Sequence, residues 1–393
     1  MLPTHQFSPR NQHAQAAMRP FFRFFEFYNE HAPTPGISNF ALGNPHDMPL
    51  SGVVDALQRW SVPQNKDWFG YQFNEPQSQA IIAESLYTWR GIPFEPDDIH
   101  LTTGAFSALA ITLNTIVSEG DEIIYNTPPW FFYEPQILAA GGVPVSVKVD
   151  PATFDLDLNA ITTALTPRTR AIIVNSPNNP TGKIYPPATL RALADLLTQQ
   201  SQQFGHPIYL ISDEAYSRIV YTGQAYHSAT EYYPNTFLIY TYGKTLLTPG
   251  QRIGYIALPP TMPDRESMRQ ALIGAQVMTG YAFPNALLQH ALADLDKLSI
   301  DLEHLQAKRD GLVTELRSMG YDVHVPEGTF YLLPKSPLAD DWQFIELLAQ
   351  HNILCLPGAV VELPGYFRIS LTANDEMIRA ALPNFAAALE RAY

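Results

Sequence analysis

The sequence has 393 residues, 46% of them hydrophobic, which is enough for one large domain with a buried core and a smaller second domain. It carries 24 Lys and Arg against 38 Asp and Glu, a net charge of −14 at pH 7, so neither nucleic acid nor an anionic membrane surface is an expected partner. The single cysteine, Cys355, excludes an internal disulfide framework, and the 11 histidines show no spacing typical of a metal site.

Targeting and membrane signals are weak in this sequence. The first residues, MLPTHQFSPRNQHAQAAM, lack the basic-then-apolar pattern of a signal peptide. No run of about 18 uncharged apolar residues occurs further along, so no transmembrane helix is predicted. We therefore expect a cytoplasmic protein.

The stretch RPFFRFFEFYNEH, near the N-terminus, is unusually aromatic. Its periodicity predicts a helix with aromatic residues on more than one face, and such a helix must be buried on more than one side. We expect residues 1–45 to form an N-terminal segment that packs on the small domain, the rest of the body or a second subunit. A role in covering a site is the alternative. One helical face carries Phe21, Phe24, Phe25 and Tyr28.

Between residues 100 and 260, short β-branched runs alternate with longer helical patterns. Each run is apolar almost throughout, as expected for a strand covered by helices on both faces. The alternation predicts an α/β fold with a mostly parallel central sheet, in a large domain over residues 46–285. The clearest predicted strands are EIIYN (122–126), AIIVNS (171–176), PIYLIS (207–212) and FLIYTY (237–242).

The C-terminal part, residues 286–393, has a different pattern. A helical periodicity runs from Asn285 to Met319, interrupted only by Gly311, and predicts a long helix that leads out of the sheet domain. After it, the strand-like GTFYLLPK and YFRISLT flank the helical WQFIELLAQHN. This order predicts a smaller α+β domain.

Polar side chains follow the predicted strands at the edge of the sheet where a ligand is expected. In a doubly wound sheet, ligands bind beyond the carboxyl ends of the strands. Just past those ends the sequence has Asn179, Asp213 with Tyr216, Lys244, and Trp130. Together they predict a pocket that contains a carboxylate, a lysine and an aromatic plate.

A seat for a phosphate group is predicted beside this pocket. Gly104, in TTGAFSALAITLNTI, opens a helix whose first backbone N–H groups, those of Ala105 and Phe106, can face an anion. Arg252 and Thr241 would add a fixed cation and a hydroxyl group.

The combination fits the needs of pyridoxal 5'-phosphate (PLP). The aldehyde of PLP forms an imine with a lysine, here Lys244. Its ring nitrogen must stay protonated for the ring to accept electrons, and the buried carboxylate of Asp213 would ensure this. Its phenolic oxygen needs donors, here Asn179 and Tyr216, and its flat ring needs an aromatic face, here Trp130.

Four ordered motifs also resemble those of a known family. NSPNNPTG, SDEAY, TYGK followed by PGQRIGY, and FRIS are similar in order and spacing to motifs of the fold-type I class I and II aminotransferases, which use PLP. The kynurenine and aromatic aminotransferase branch is the most similar in local detail. The resemblance extends from about Gly36 to the C-terminus, and it implies the fold-type I PLP-transferase architecture.

The resemblance implies a role for each matched residue. The implied catalytic residues are Lys244, which forms the imine, Asp213, which pairs with the ring nitrogen, and Tyr216, which holds the phenolic oxygen with Asn179. The implied cofactor site adds Gly104, Ala105, Phe106, Trp130, Thr241 and Arg252. The implied substrate site consists of Arg368, which binds the α-carboxylate, Asn179, and Gly43 in ALGNPHD.

Tyr71, in WFGYQF, resembles the family's tyrosine that reaches the cofactor phosphate of the neighbouring subunit. This implies a homodimer whose active sites are shared across the interface. The following NEPQSQAIIAES lacks the glycine and the Leu-Arg pair usual in the family, so Phe69 competes with Tyr71 for this place. Gly243 stands where many members have serine or alanine, which removes one phosphate contact, whereas Thr241 keeps another.

Several of these residues also have purely structural interpretations. Asp213 could cap a helix in SDEAYSRIV, and Asn179 could be only a turn residue. Trp130 could belong to the core, and Arg368 could form a structural salt bridge. We interpret Lys183 as solvated. Residues that could line a side-chain pocket or simply pack in the core are Tyr281, Phe330 and Tyr331.

The resulting hypothesis is a homodimeric PLP-dependent aminotransferase that moves an amino group from an L-amino acid to a 2-oxo acid in two half-reactions. One alternative is another PLP reaction on the same fold, such as elimination, oxidation or racemisation. The other is a non-catalytic PLP-binding module, although the acidic charge argues against a DNA-binding regulator. The amino donor stays open. An apolar or aromatic side chain is favoured by Trp68, Phe69, Tyr281 and Phe330.

Overall fold

The computed structural model describes residues 7–221, 223 and 226–393. Its helices are α1 (Pro9–Ala17), α2 (Arg19–His31), α3 (Ser51–Trp60), α4 (Pro76–Arg90), α5 (Ala105–Ile116), α6 (Tyr133–Ala139), α7 (Leu158–Ala164), α8 (Pro187–Phe204), α9 (Tyr242–Thr245), α10 (Arg265–Met278), α11 (Ala286–Leu295), α12 (Leu302–Met319), α13 (Asp341–Gln350) and α14 (Asp375–Ala392). Its strands are β1 (Ser38–Asn39), β2 (Ile99–Thr102), β3 (Glu122–Thr127), β4 (Val143–Lys148), β5 (Thr169–Asn175), β6 (Tyr209–Asp213), β7 (Thr236–Thr241), β8 (Gly254–Ala257), β9 (Tyr331–Leu332), β10 (Ile353–Leu354), β11 (Leu356–Pro357) and β12 (Phe367–Ser370).

The ends of the helices follow local sequence signals. The side chain of Glu75 caps α4 by accepting a hydrogen bond of 2.8 Å from the backbone N–H of Ser78. Gly91 and Gly205 end α4 and α8 with φ angles of 69° and 76°, which residues other than glycine rarely adopt. These signals fix where each helix stops before the chain turns back to the sheet.

A central sheet positions everything else. In the described part of the chain it has seven strands in the order β2-β8-β7-β6-β5-β3-β4. Strand β8 is antiparallel to both of its neighbours, and the other neighbouring strands are parallel. The four strands predicted most clearly correspond to β3, β5, β6 and β7. The predicted α/β fold with a mostly parallel sheet is therefore confirmed.

Helices cover both faces of this sheet, which explains why its strands are apolar throughout. Successive residues of β5 point to opposite faces. Ile172 packs in a cluster with Leu193 of α8, whereas Ile173 packs in a second cluster with Leu113 of α5. Burial of each of these aliphatic side chains stabilises the folded protein by roughly 1.5–3 kcal/mol.

The C-terminal part forms a second layer of structure. Strands β11, β12 and β9 form a small antiparallel sheet, packed with α12, α13 and α14. Strand β1 pairs in parallel with β10, and Phe24 of α2 is buried in a cluster with Trp342 and Val361. These contacts support the predicted packing of the N-terminal segment on the small domain. The three-part domain division stays a prediction.

One predicted helix is wrong. The periodic stretch from Asn285 to Met319 forms two helices, and the break lies at residues 296–301 and not at Gly311, which is inside α12. The carboxylate of Asp296 accepts a hydrogen bond of 2.6 Å from Arg218, in the turn after β6, and one of 2.8 Å from Tyr242 of α9. These tertiary contacts override the helical periodicity, and Asp301 then caps the new helix.

Candidate active site

A cavity opens at the carboxyl ends of the parallel strands, where the sequence predicts a ligand. It contains about 670 Å³ of empty space, part of it open to solvent. The structure brings most of the predicted site residues together here. The lining residues are Ala105, Phe106, Trp130, Asn175, Asn179, Asp213, Ala215, Tyr216, Thr241, Gly243, Lys244, Pro249 and Arg252.

One end of the cavity suits an anion. Gly104 precedes α5 with a φ angle of 92°. Because glycine has no side chain, nothing at position 104 covers the first backbone N–H groups of the helix. A Cβ atom on Gly104 would lie 2.9 Å from Nη2 of Arg252 and 3.4 Å from Oγ1 of Thr241. The guanidinium and the hydroxyl thus lie directly against the helix start, which is the arrangement predicted for a phosphate seat.

A buried carboxylate also lines the cavity. Oδ2 of Asp213 accepts a hydrogen bond of 2.6 Å from the Tyr133 hydroxyl, and Oδ1 accepts one of 3.2 Å from the backbone N–H of Ala215. Burial raises the pKa of Asp213, although both hydrogen bonds and the charge of Lys244 oppose that shift. The residues after Asp213 form turns and no helix, so the capping interpretation of this residue is wrong.

Two residues that support this carboxylate were not predicted. Tyr133 begins α6, three residues after Trp130, and its contact joins α6 to Asp213 at the end of β6. Asn175 ends β5, where its side chain donates to the backbone carbonyl of Asp213 at 2.9 Å and accepts from the N–H of Asn179 at 2.7 Å. Asn175 stands at a strand end in the motif NSPNNPTG, and this position could have identified it.

Lys244 lies on the short helix α9 and is half-buried. Its ammonium group lies 5.6 Å from the ring centre of Tyr216 and 5.9 Å from that of Phe330. A Cβ atom on the preceding Gly243 would lie 3.1 Å from Cα of Pro249. The backbone turn after α9 therefore explains why glycine replaces the serine or alanine found in many members of the resembled family.

Arg368 approaches the same cavity from β12 and is 2% exposed. Its Nη1 donates to Oδ1 of Asn179 at 2.9 Å, and its Nη2 donates to the backbone carbonyl of Ala41 at 3.1 Å. The guanidinium carbon lies 4.1 Å above the ring of Tyr331. Among the described residues, its hydrogen-bond partners are these two neutral oxygens and no carboxylate, so the salt-bridge interpretation is wrong.

Some predicted residues lie elsewhere. Tyr71 and Phe69 are on the surface, 89% and 57% exposed, and neither lines the cavity. Trp68 is a core residue stacked on His290 at 3.7 Å, so its proposed place near the pocket is wrong. Lys183 is also not solvated, since its largely buried ammonium pairs with Glu327 at 3.0 Å.

The remaining candidates divide between the core and the site. Tyr281 packs beside the α5 face of the sheet. Phe330 and Tyr331 are buried, but their rings face Lys244 and Arg368 respectively. Gly43 lies against them, because a Cβ atom there would be 2.6 Å from the Tyr331 hydroxyl.

Among the described residues, no group of three or more His, Cys, Asp or Glu side chains could hold a metal ion. The helices described in the structure include none that is long and apolar enough to cross a bilayer.

Comparison with known proteins agrees with this geometry. The family model for aminotransferase class I and II matches residues 35–385. A probable aspartate/prephenate aminotransferase of Thermus aquaticus is 32% identical over 344 residues, which is 86% of this chain and 88% of that protein.

Solved structures show the same fold. An aminotransferase from Eubacterium rectale superposes with a TM-score of 0.91 at 30% identity, covering 98% of this chain and 99% of the other. A single mutant of Thermus thermophilus aspartate aminotransferase superposes with a TM-score of 0.82 at 27% identity, covering 98% and 100%. These relatives support fold type I and do not single out the kynurenine and aromatic branch. The chain therefore belongs to the class I and II aminotransferase family of PLP-dependent enzymes, and it transfers amino groups.

Proposed function

We propose that PLP binds in this cavity and that the residues predicted from the sequence hold it. The observation that carries the proposal is the convergence of Lys244, Asp213 and Arg252 on one cavity. The donor set fits PLP: a helix start and a guanidinium for the phosphate, a lysine for the aldehyde, and a buried carboxylate for the ring nitrogen. When bound, PLP supplies an electron sink that makes the hydrogen on the substrate α-carbon acidic.

The residues around the cavity have separate tasks in this proposal. Arg252, Thr241 and the N–H groups that begin α5 bind the phosphate. Asp213 keeps its charge opposite the ring nitrogen, and the hydrogen bond from Tyr133 fixes the carboxylate in place. Asn179 and Tyr216 donate to the phenolic oxygen, while Trp130 covers one face of the ring.

The substrate is oriented by Arg368. Its planar guanidinium is held by Asn179 and Ala41, so it can bind the α-carboxylate in a fixed direction without rearranging. That fixed direction brings the α-carbon to the amine of Lys244. Lys244 would be the base that takes the proton from the substrate α-carbon and delivers it to the carbon of the cofactor aldehyde group.

We infer that the amino donor has an aromatic or large apolar side chain, as in the kynurenine and aromatic branch. A continuous set of rings extends outward from the cavity. Phe106 lies 5.1 Å from Trp130 and 5.2 Å from Phe132, and Phe21 of α2 lies 5.1 Å from Phe132. Such rings favour aromatic partners by about 0.5–1.5 kcal/mol per pair beyond area burial.

Charge supports the same inference. Lys244 and Arg252 are the cationic side chains that line the cavity in the described residues, and Arg368 adjoins it through Asn179. Each already has a proposed partner in PLP or in the α-carboxylate. Among the described residues that line the cavity, no further lysine or arginine is therefore available for a second carboxylate on the substrate side chain.

A homodimer is supported by an exposed aromatic surface. Tyr71 and Phe73 pack against Phe283 with ring distances of 5.0 Å and 4.7 Å, and Val277 and Met278 at the end of α10 are exposed. Exposed apolar patches of this kind mark interaction surfaces. Tyr71 would reach the partner's phosphate from this surface, with Phe69 as the alternative. The cytoplasmic location stays a prediction.

A half-reaction assay tests the proposed reaction. Purified enzyme with PLP, mixed with phenylalanine and no oxo acid, should convert one equivalent per active site and then stop, because the amino group stays on the cofactor. Adding a 2-oxo acid should restart turnover. The absorbance of the bound cofactor and the amount of phenylpyruvate follow both steps.

The same assay separates the alternatives. A lyase or an oxidase would continue past one equivalent with the amino acid alone, and a racemase would form D-phenylalanine. A cofactor-binding module would bind PLP but never exchange an amino group. Repeating the assay with aspartate tests the donor class, since we expect phenylalanine to react at least about 10-fold faster at equal, low concentration.

Gly104→Ala should weaken PLP binding by about 10-fold or more. The new methyl group would lie 2.9 Å from Nη2 of Arg252, so the guanidinium must move away from the helix start that faces the phosphate. The dissociation constant of PLP, measured by equilibrium dialysis or fluorescence quenching, checks this expectation.

Gly205→Ala is the matched control. Gly205 also has a positive φ angle, 76°, but a Cβ atom there has no neighbour within 4 Å. It should lower the free energy of unfolding by about 1 kcal/mol through backbone strain and leave PLP affinity unchanged. Equal losses of PLP affinity in both variants would contradict the assignment of Gly104 to the phosphate seat.

A further inference from the structure

The hydroxyl group of Tyr331 has an unusual position in the site. It accepts a hydrogen bond of 3.4 Å from the Tyr216 hydroxyl, whose proton would turn to the phenolic oxygen when PLP binds, and it donates to no acceptor among the described residues. Its own ring lies 4.1 Å beneath the guanidinium carbon of Arg368. A buried O–H that keeps a free proton beside a cation is suited to an anionic partner that arrives with the substrate.

Arg368 shows the same incompleteness. Two of its nitrogens donate to Asn179 and Ala41, but its Nε is buried and has no partner among the described residues. A buried guanidinium N–H without an acceptor costs free energy that a bound carboxylate would recover. Nε of Arg368 and the hydroxyl of Tyr331 therefore each lack an acceptor among the described residues of the same small region.

Gly43 explains how the hydroxyl is accommodated. A Cβ atom on Gly43 would lie 2.6 Å from the Tyr331 hydroxyl oxygen and 3.3 Å from Cε2 of Phe330. Real Cβ atoms do not approach an oxygen that closely, so any side chain at position 43 would displace the hydroxyl. The φ angle of Gly43 is not in the left-handed region, which leaves this close approach as the reason for glycine.

The electrostatic surroundings make the hydroxyl a strong donor. Burial by itself would raise the pKa of Tyr331, but the charges of Lys244 and Arg368 and the hydrogen bond from Tyr216 together lower it below the usual tyrosine value. A more acidic phenol donates a stronger hydrogen bond to a carboxylate.

We propose that Tyr331 is a substrate-binding residue whose hydroxyl donates to the α-carboxylate alongside Arg368, and that Gly43 keeps the space this hydroxyl needs. The inference rests on the proposed function, because it assumes that Arg368 binds the α-carboxylate. In this inference the α-carboxylate is bound by the neutral Tyr331 hydroxyl as well as by the Arg368 guanidinium, and Gly43 is required because a side chain there would clash with the hydroxyl.

The test uses the PLP-loaded enzyme and 3-phenylpropanoate, an unreactive carboxylate with an aromatic chain. Tyr331→Phe should raise the dissociation constant of 3-phenylpropanoate by about 10- to 30-fold, measured from the change in cofactor absorbance. In steady state the same variant should raise KM for the amino acid and change kcat by less than about threefold, since the contact is made in the ground state and the transition state alike.

A double-mutant cycle tests the role of Gly43. Gly43→Ala alone should weaken 3-phenylpropanoate binding by about 10-fold, because the methyl group displaces the hydroxyl. In the Tyr331→Phe background the methyl group meets only ring carbon, at 3.6 Å from Cζ, so the added loss should be below about threefold. If Tyr331→Phe does not load PLP, Gly43→Ala alone still tests the proposal, since it keeps the hydroxyl.

Tyr321→Phe is the matched control. Tyr321 is another buried tyrosine of the small domain, and its hydroxyl donates to the carbonyl of Phe385 at 2.9 Å, away from the cavity. It should bind 3-phenylpropanoate as the wild type does. The inference is overturned if the dissociation constant of 3-phenylpropanoate for Tyr331→Phe is within twofold of the wild-type value. It is also overturned if Gly43→Ala raises that constant by the same factor in both backgrounds. Failure of the proposed function is distinct, because the wild type itself would then show no cofactor absorbance.

Discussion

Lys244→Ala should lower the rate of amino-group transfer by at least about 10⁴-fold, the upper range for loss of a general base, because no other amine in the described cavity can replace it. Lys244 is the lysine among the lining residues, and its ammonium lies 5.6 Å and 5.9 Å from the ring centres of Tyr216 and Phe330. The variant should lose both the covalent link to PLP and the proton transfer at the α-carbon. Steady-state transfer from phenylalanine to a 2-oxo acid measures the loss.

Borohydride reduction provides an independent readout. In the wild type it should fix PLP on Lys244, which peptide mapping by mass spectrometry identifies, and in the variant no lysine should be labelled. Lys335→Ala is the control, since Lys335 is an exposed residue that pairs with Asp322 at 3.0 Å. A variant that kept more than about one hundredth of wild-type activity would remove Lys244 from the role of base.

The sheet and the location of the site could be predicted because both depend on local patterns. Strands buried on both faces are apolar throughout, and the alternation with helices orders them in parallel. Once that order is known, the polar residues after each strand must meet at one edge. Asp213 ends β6, Asn179 and Lys244 follow β5 and β7, and all three line the cavity.

The contacts that complete the site could not be predicted, since they join elements that are distant in the sequence. Tyr133 reaches Asp213 over a separation of 80 residues, and Arg368 reaches Asn179 over 189. The break between α11 and α12 has the same origin, because Asp296 bonds to Arg218 and Tyr242 in other elements. Periodicity describes one helix at a time and carries no information about such partners.

Asp213→Asn should lower amino-group transfer by about 10³-fold, or about 4 kcal/mol. A carboxylate about 3 Å from a protonated ring nitrogen gives up to about 5 kcal/mol at an effective dielectric constant near 20, and the neutral amide supplies little of this. The amide can still accept from the N–H of Ala215 and donate to the Tyr133 hydroxyl, so the packing is retained. The rate with phenylalanine and the PLP dissociation constant should both show the loss.

Without PLP, the same substitution should not lower the free energy of unfolding, in contrast to its effect on activity. Burial raises the pKa of Asp213, so the folded protein holds this proton more tightly than the unfolded chain does, and stability is lost as pH rises from the ordinary aspartate range through the raised pKa. Asp213→Asn removes that loss. Without PLP, the variant should be at least as stable as the wild type at pH 8, and its advantage should shrink towards pH 4. Thermal unfolding at several pH values, with and without PLP, measures both effects.

A different outcome would contradict the role of Asp213. If the variant were less stable without PLP and lost activity only in proportion to its loss of folded protein, Asp213 would be a structural residue that does not pair with the ring nitrogen.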